Sequence, residues 1–596
     1  MTTEVRPQSE QAGEVAGGGA FMTGPVAADS VFTPERLSDE HRAIRDAVSA
    51  FVEKEVLPRR DAVEGRDYAT HRSLLERLGR DGFLGIDVPE AYGGAGLDRV
   101  SSLVVNEAIA GAGSFAVTYA AHTGIGTLPI VFFGTDEQKR AYLPGLADGT
   151  RVGAYALTEP GAGSDAMGIR TRATRQADGS WQLDGTKQFI TNAAFADLFT
   201  VYAKIDGEHF SAFLVERDTP GLSIGPEEKK MGLHGASTCP VTLEGVVVPA
   251  GNLLGEPGKG HRVAFNVLNL GRFKLGGACL GGMRPALGIA TRYASERSAF
   301  GRKLTAFPLI GAKLASMAAR TYAVESAVYR IAGLLEGSLA AAEDATSPEA
   351  VRVALEEYAV ECSIAKVLAS EELGALVDEV VQIHGGYGYI EEYPAAGLYR
   401  DARIHRIWEG TSEINRLLIP GTLLKRAMTG RLDLLGPAQR ASDALLGGEL
   451  PSFDGPFAAE EAAVAATRTV TLLLAGAAVQ RYGTGLEEQQ ELLAGLADLA
   501  IDLFAMESVL ERAKQTAAAG GAAASVHADL ARLVVAERSG AVEQRAKALA
   551  AAVASGDEAR TMIAGIRRLL RGDPVDTIAL GRRIAGTVIE RGGYPA

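Results

Sequence analysis

Cysteine is nearly absent from this chain of 596 residues, which carries three: Cys239, Cys279 and Cys362. Their odd number and scattered spacing exclude a disulfide-built scaffold and show no metal-ligand pattern, which points to a reducing compartment. Aromatic residues are scarce at 6%, so the core must be aliphatic and mainly helical. Positive charge is in deficit, with 60 Lys and Arg against 74 Asp and Glu for a net charge of -14. Without a basic surplus the chain cannot displace counterions along a nucleic acid, and local basic sites are left for small anions. Apolar runs such as Val470 to Val479 fall well short of the ~20 residues that cross a bilayer. Residues 1–35 are rich in Gly, Ala and Glu, without a basic n-region ahead of an apolar core. They read as a disordered leader and not a secretion signal, so the protein is expected to be soluble and cytoplasmic, or at most associated with a membrane surface.

The length calls for three or four structural units. From Ser38, a good N-cap, Ile44, Val48, Phe51, Val52 and Val56 recur at helical spacing up to Pro58. Residues 36–150 are expected to form an all-helical domain. At Arg151 the texture changes to alternation broken by Asp178-Gly179 and Asp206-Gly207, the signature of antiparallel hairpins, so 151–260 reads as a middle β domain or small barrel. Helix returns at His261, with a break expected at Gly276-Gly277, a second segment from Met283 to Arg297 and a third from Ala312 to Leu335. An inserted loop at 336–349 precedes another helix up to Glu379. The bundle spans 261–430, a low-aromatic linker covers 433–455, and an additional Ala- and Leu-rich helical domain completes 431–596. The fold class is mainly α with a middle β domain.

Five stretches carry candidate chemistry. Tyr155 to Asp165 holds Leu157, Thr158, Gly163 and Ser164 at the helix-to-sheet junction, where glycines admit close backbone approach and hydroxyls can meet an anion. It is neither a P-loop nor a Gly-x-Gly-x-x-Gly turn. Lys187 to Asn192, with Phe189, Ile190 and Thr191, is an alternating strand ending in polar residues. Ser295 to Gly301 places Arg297 and Phe300 at a helix end, where an arginine pairs with a carboxylate or grips a phosphate. Gln382 to Tyr389 contains Gly385 and Gly386, a helix stop or an open backbone for a flat or anionic ligand. Its His384 has no partner at metal-ligand spacing, so no metal site is read from it. In the last stretch, Arg400 to Arg416, Glu409 stands between Trp408 and Gly410, and it is the candidate catalytic base.

In this order and spacing, the five stretches resemble the acyl-CoA dehydrogenase family of flavoproteins, over roughly residues 36–430. Leu157-Thr-Glu-Pro-Gly-Ala-Gly-Ser-Asp165 and Ile407-Trp-Glu-Gly-Thr411 are the most specific motifs. The length, the 336–349 insertion, Asn269 to Phe273 and the block after 430 look most like the very-long-chain members. The resemblance implies an N-terminal helical domain, a small β-barrel and a four-helix bundle, with FAD between barrel and bundle. It implies Glu409 as the base and Tyr155, Leu157, Thr158, Gly163, Ser164, Phe189, Ile190 and Thr191 along the flavin. Arg297, Phe300, Gln382, Gly385 and Gly386 match the pyrophosphate and adenosine end, some across a homodimer interface, and Thr411 and Glu413 match further FAD contacts. Ser164, Asn269, Arg272 and Gly410 match substrate contacts. Asn269 replaces an Asp of many shorter-chain members, Glu413 stands where Gln or Asn is common, and Phe307-Pro308 replaces a frequent Phe-Gln.

What the resemblance implies chemically is α,β-dehydrogenation of a fatty acyl-CoA to the trans-2-enoyl-CoA, as in fatty acid β-oxidation, with electrons passed to an electron-transferring flavoprotein. Small residues at Gly113, Ala116, Ala120, Ala121 and Gly124 suggest a deep acyl pocket and a long-chain substrate, or simply tight helix packing. Two alternatives stay open: an acyl-CoA oxidase, and a low-activity flavin-binding assembly protein of the same fold. The C-terminal arginines Arg567, Arg568, Arg571, Arg582, Arg583 and Arg591 read either as a peripheral membrane or partner surface or as a solvated helix face.

Overall fold

The computed structural model describes residues 16–344, 347–445 and 451–596. Ser38 caps the helix Asp39–Phe51 through the amide of His41, whose ring accepts from the Ser38 amide in return. Thr135 and Gln138 close the helix Asp136–Asp148 in the same reciprocal way. Each pair satisfies two amides that the first helical turn leaves orphaned.

The middle domain is one sheet of eight strands: β1 (Gly153–Ala156), β2 (Arg172–Arg175), β3 (Trp181–Thr191), β4 (Leu198–Ile205), β5 (His209–Glu216), β6 (Leu222–Ile224), β7 (Thr238–Val248) and β8 (Leu253–Leu254). The order is β6-β7-β3-β2-β4-β5-β8, with β1 beside β4. Both Asp-Gly turns join antiparallel neighbours, β2 to β3 and β4 to β5. Asp206 and Gly207 have φ of 55° and 80°, the left-handed pair that a tight hairpin requires. In departure from the hairpin reading, β1 runs parallel to β4. The short strands β6 and β8 lie at the two ends of the strand order.

The bundle is built on Gly260–Glu296, Pro308–Ala340, Ala359–His384 and Ser412–Met428. The break expected at Gly276-Gly277 does not occur, and one helix runs through it. A Cβ at Gly277 would lie 2.5 Å from Leu103, and one at Gly281 2.0 Å from the carbonyl oxygen of Glu107. These glycines let the Arg99–Ile109 helix approach closely, which outweighs their cost in helix propensity of about 1 kcal/mol each. The inserted loop shrinks from both ends, because helix extends to Ala340 and restarts at Pro348. Part of the 433–455 linker is helical, Leu435–Leu445.

Residues 1–15 of the expected leader lie outside the described residues, but from residue 16 onward the chain is packed. Phe21, Met22 and Val31 are buried, and Phe21 meets Phe504 edge-on at 5.2 Å. The Gly19 amide donates to Glu361 (2.7 Å), and Arg468 donates to the Phe21 carbonyl (2.8 Å). Composition suggested disorder because the segment has no periodicity of its own. Its apolar side chains are instead buried between the bundle and the C-terminal helices.

Those helices, Ala458–Tyr482, Gln490–Ala519, Ala524–Val553, Gly556–Leu569 and Thr577–Arg591, are bound to the bundle by buried ion pairs. Arg512 joins Glu325 (2.6 Å) and Glu35 (2.5 Å), and Arg330 joins Glu507 (2.8 Å). Among the C-terminal arginines, Arg583 pairs with Asp529, Arg568 donates to the Ala444 carbonyl and Arg591 to the Pro595 carbonyl, so they do not form one free basic face. Among the described residues two helical stretches, Ser114–Phe133 and Ala458–Glu488, are long and apolar enough to cross a bilayer, beyond what the run at 470–479 suggested. The first is largely buried inside the protein.

Because Gly281 touches backbone, Gly281→Val should destabilise the protein by about 1–3 kcal/mol through overpacking. Gly282→Ala, whose Cβ would meet only Leu373 at 3.6 Å, should be neutral or better. Thermal unfolding midpoints of the two variants check this.

Candidate active site

Glu409 lies in the short loop between Arg403–Arg406 and the Ser412–Met428 helix. Its φ is +59°, a left-handed conformation that is strained for a residue with a side chain. Gly410 follows at +79°. The loop is tied on both sides: Arg272 donates to the Glu409 carbonyl (3.1 Å), and Asn415 donates to the carbonyls of Gly410 (2.9 Å) and Thr411 (3.0 Å). Thr411 caps the following helix by accepting from the Ile414 amide. This arrangement aims the carboxyl at Gly271, where an added Cβ would lie 2.6 Å from Glu409 Oε2. The missing side chain makes room for the acid.

Glu409 Oε2 is sealed from solvent and has no hydrogen-bond partner, as is Trp408 Nε1 next to it. Burial pushes the Glu409 carboxyl up to about 7, although the cations Arg272 and Lys366 pull the other way. His405, whose ring meets Trp408 at 5.1 Å, is pushed down to about 4 by burial and stays neutral. A carboxyl titrating near neutrality beside open space, even with the cations Arg272 and Lys366 close by, is suited to taking a proton.

That space is a cavity of about 770 Å³. One wall is a stripe of the Gly260–Glu296 helix running from Gly271 through Ala278, Gly281 and Gly282 to Ile289. The facing wall holds Gly113, Ala116, Ala120, Ala121 and Gly124, all five of the small residues singled out in the sequence. Lys274 also lines it, with its ammonium turned to Asp87 (2.5 Å) in a buried cluster that includes Arg99.

Thr191 lines the same cavity as Glu409, and Tyr155 is close enough for its hydroxyl to feel the charges of Glu409 and Arg272. Phe189 has φ of +59° at a bulge in β3 and is 58% exposed, an aromatic platform next to buried Ile190. Leu157 is buried and Thr158 half-buried. A second cleft of about 460 Å³ brings together Arg297, Gly385 and Gly386 with Tyr293, His384 and Tyr387. Added Cβ atoms at Gly163, Gly385 and Gly386 would meet nothing within 4 Å, so their backbones are open to a ligand. Unpartnered polar atoms, an uncovered aromatic face and open glycine backbone fit a large flavin cofactor with a phosphate end. Among the described residues no group of three or more His, Cys, Asp or Glu is placed to hold a metal.

Not every expected residue joins these cavities. Gly163, Ser164, Phe300, Gln382 and Glu413 are exposed and line neither one. Asn269 and Arg272, expected to touch substrate, are bonded to each other (2.8 Å) and to the surrounding backbone, and Arg272 supports the Glu409 loop. Sequence reasoning missed the residues that hold the site in place. Lys187, fully buried, pairs with Glu159 (2.7 Å), whose carboxylate also accepts from the Arg170 and Thr171 amides (2.6 and 3.0 Å). Burial alone would raise Glu159, but Lys187 and these hydrogen bonds hold it below the usual carboxylate range. The pair fastens β3 to the Leu157–Asp165 loop, and only their positions in the two motifs hinted at it.

Lys187→Met leaves the Glu159 carboxylate buried and unpaired, which should cost about 3–5 kcal/mol. It should also loosen the loop enough to lower flavin retention through gel filtration. Lys187→Met with Glu159→Gln should recover part of the stability, measured by thermal unfolding.

Four domain descriptions match the chain: acyl-CoA dehydrogenase N-terminal domain over residues 38–150, middle domain over 154–246, C-terminal domain over 258–424, and a second C-terminal domain over 466–568. A probable acyl-CoA dehydrogenase of Bacillus subtilis (strain 168) is 44% identical over 592 residues, 98% of this chain and 100% of that protein. The human mitochondrial very long-chain specific acyl-CoA dehydrogenase is 35% identical over 541 residues, 84% of this chain and 79% of that one. The crystal structure of an acyl-CoA dehydrogenase complexed with FAD from Bacillus anthracis superposes with a TM-score of 0.95 at 46% identity, covering 97% of this chain and all of that one. With its fold, its buried carboxyl and these relatives in agreement, the chain belongs to the acyl-CoA dehydrogenase family.

Proposed function

We propose that this acyl-CoA dehydrogenase oxidises long-chain fatty acyl-CoA at the α,β-bond to the trans-2-enoyl-CoA, with Glu409 as the base. The enzyme is a flavoprotein oxidoreductase with FAD as cofactor. When bound, FAD supplies the acceptor for the β-hydride.

The carrying observation is that the carboxyl of Glu409 and the small residues 113–124 line one cavity. Only the ionised carboxylate takes the α-proton. The desolvation that lifts Glu409 to about 7 therefore raises its proton affinity while leaving much of it ionised at working pH. Glu409 Oε2 rests in the space that Gly271 leaves bare, and the residue lines the cavity. From Gly271 to Ile289 the helical wall extends about 27 Å at ~1.5 Å per residue. Ala278 and Gly282 keep this wall open, which supports a long acyl chain.

Electrons then pass to an electron-transferring flavoprotein, and the enzyme works as a homodimer. Support for the dimer comes from the second cleft, where Phe300 is 95% and Tyr389 86% exposed, each beside a cleft-lining residue. A second copy would cover these aromatics and complete the site around Arg297, Gly385 and Gly386.

Anaerobic mixing with acyl-CoAs of graded length tests the reading by bleaching of the flavin. Wild type should bleach, and Glu409→Gln should lose at least ~10³-fold in rate while keeping FAD. The rate should rise with pH up to about 7 and then level off, because the active form is the carboxylate above its pKa. A preference for chains of four or six carbons would reject the long-chain assignment, and peroxide formation in air matching dye reduction would favour an oxidase.

A further inference from the structure

Lys366 is a buried cation for which the reaction as described has no use. It sits on the Ala359–His384 helix with no exposed surface. Its ammonium donates to the Arg406 carbonyl (3.1 Å) and the Ser412 hydroxyl (3.4 Å) and makes no ion pair with a carboxylate among the described residues. A buried ammonium without a counter-charge is costly, whereas an apolar side chain of similar length would fill the space more cheaply. Burial accordingly pushes Lys366 down to about 8.

Its two partners explain the charge. Arg406 ends the turn before Ile407 and Ser412 opens the helix after Thr411, so the ammonium bridges both ends of the segment carrying Glu409. Arg272 and Asn415 grip only the middle of that segment. A loop with a left-handed Glu409 persists only where its surroundings over-determine it. We propose that Lys366 is a positioning residue for Glu409: it ties the ends of the catalytic loop together and places a positive charge behind the carboxyl. The inference rests on reading Glu409 as the base.

The charges around the pair come from every neighbouring element. Glu409 feels Arg272 from the Gly260–Glu296 helix and Lys366 from the Ala359–His384 helix, and Tyr155 of β1 faces it. Lys366 faces Cys279 and Arg272 on the first of these helices, Glu371 on its own, Glu413 on the Ser412–Met428 helix and His405 ahead of the loop. Cys279 is a neutral thiol, held up at about 12 by burial, and His405 is neutral as well. Arg272 stays charged throughout. Of the two cations acting on Glu409, Lys366 is thus the one whose titration changes the field on the carboxyl.

The test uses FAD-loaded Lys366→Met, Lys366→Arg and Ser412→Ala. Two readouts are taken: the pH profile of flavin reduction by a long-chain acyl-CoA, and infrared titration of the protonated carboxyl band that Glu409→Gln abolishes. In Lys366→Met the band should persist to a pH higher by about one pH unit or more, because a nearby cation favours the carboxylate. The reduction rate at neutral pH should fall by at least ~10-fold. Lys366→Arg should keep the wild-type midpoint. Ser412→Ala keeps the charge and loses one tie, so it should lower the rate without moving the midpoint. An unmoved midpoint in Lys366→Met overturns the charge role, and a wild-type rate in Ser412→Ala overturns the tie. If Lys366→Met does not fold, a shifted midpoint in Lys366→Arg is the overturning result. Glu409→Gln that is still reduced at the wild-type rate overturns the base reading itself, and this inference with it.

Discussion

The carboxyl of Glu409 occupies the space that residue 271 leaves bare. Much else in the molecule serves that contact. A carboxyl deprived of water becomes basic enough to abstract a weakly acidic proton, but its desolvation and its left-handed backbone both oppose folding. The cost is met by anchors on three helices: Arg272, Lys366 and Asn415 each bond the backbone of the loop, and Lys366 also bonds the Ser412 hydroxyl at its end. Two of the anchors are cations, which keeps the carboxyl from rising so far that it would never ionise.

The bare position also dictates the packing. The stripe that begins at Gly271 continues through Gly281 and Gly282, and the same helix meets the N-terminal domain through Gly277 and Gly281. One helix therefore holds the neighbouring domain close and keeps a channel open along its side. Small residues on both walls leave the channel wide, and rigidity has to come from elsewhere. The C-terminal helices and the packed segment from residue 16 brace the bundle through Arg512, Glu325 and Glu35 and through Arg330, Glu507 and Arg468.

Much of this was legible in the sequence where the cause is local. Ser38 announces a helix because its hydroxyl serves the adjacent turn, and the Asp-Gly pairs announce hairpins because they accept positive φ. Glu409 was recognisable because its neighbours come in a specific order. The Gly276-Gly277 break was misread because a glycine marks either a helix end or a close contact, and a sequence does not say which. The anchors Lys187, Lys366 and Asn415 were missed for a different reason. A lysine that is buried looks like any other until its partners, distant in sequence, are placed around it. Phe300, Gln382, Glu413 and Ser164 stand in the motifs but lie on the surface and line neither cavity, because a motif names a position and not its partner.

The central claim is geometric: the acid, the bare helix position and the long channel form one site. A crystal structure of the enzyme with FAD and a non-reacting long-chain acyl-CoA analogue tests it most directly. The account predicts the α-carbon about 3–3.5 Å from a carboxyl oxygen of Glu409, with the chain running between Gly281–Gly282 and Ala120–Gly124. A thioester bound away from Glu409, or a chain that leaves this channel empty, would contradict it.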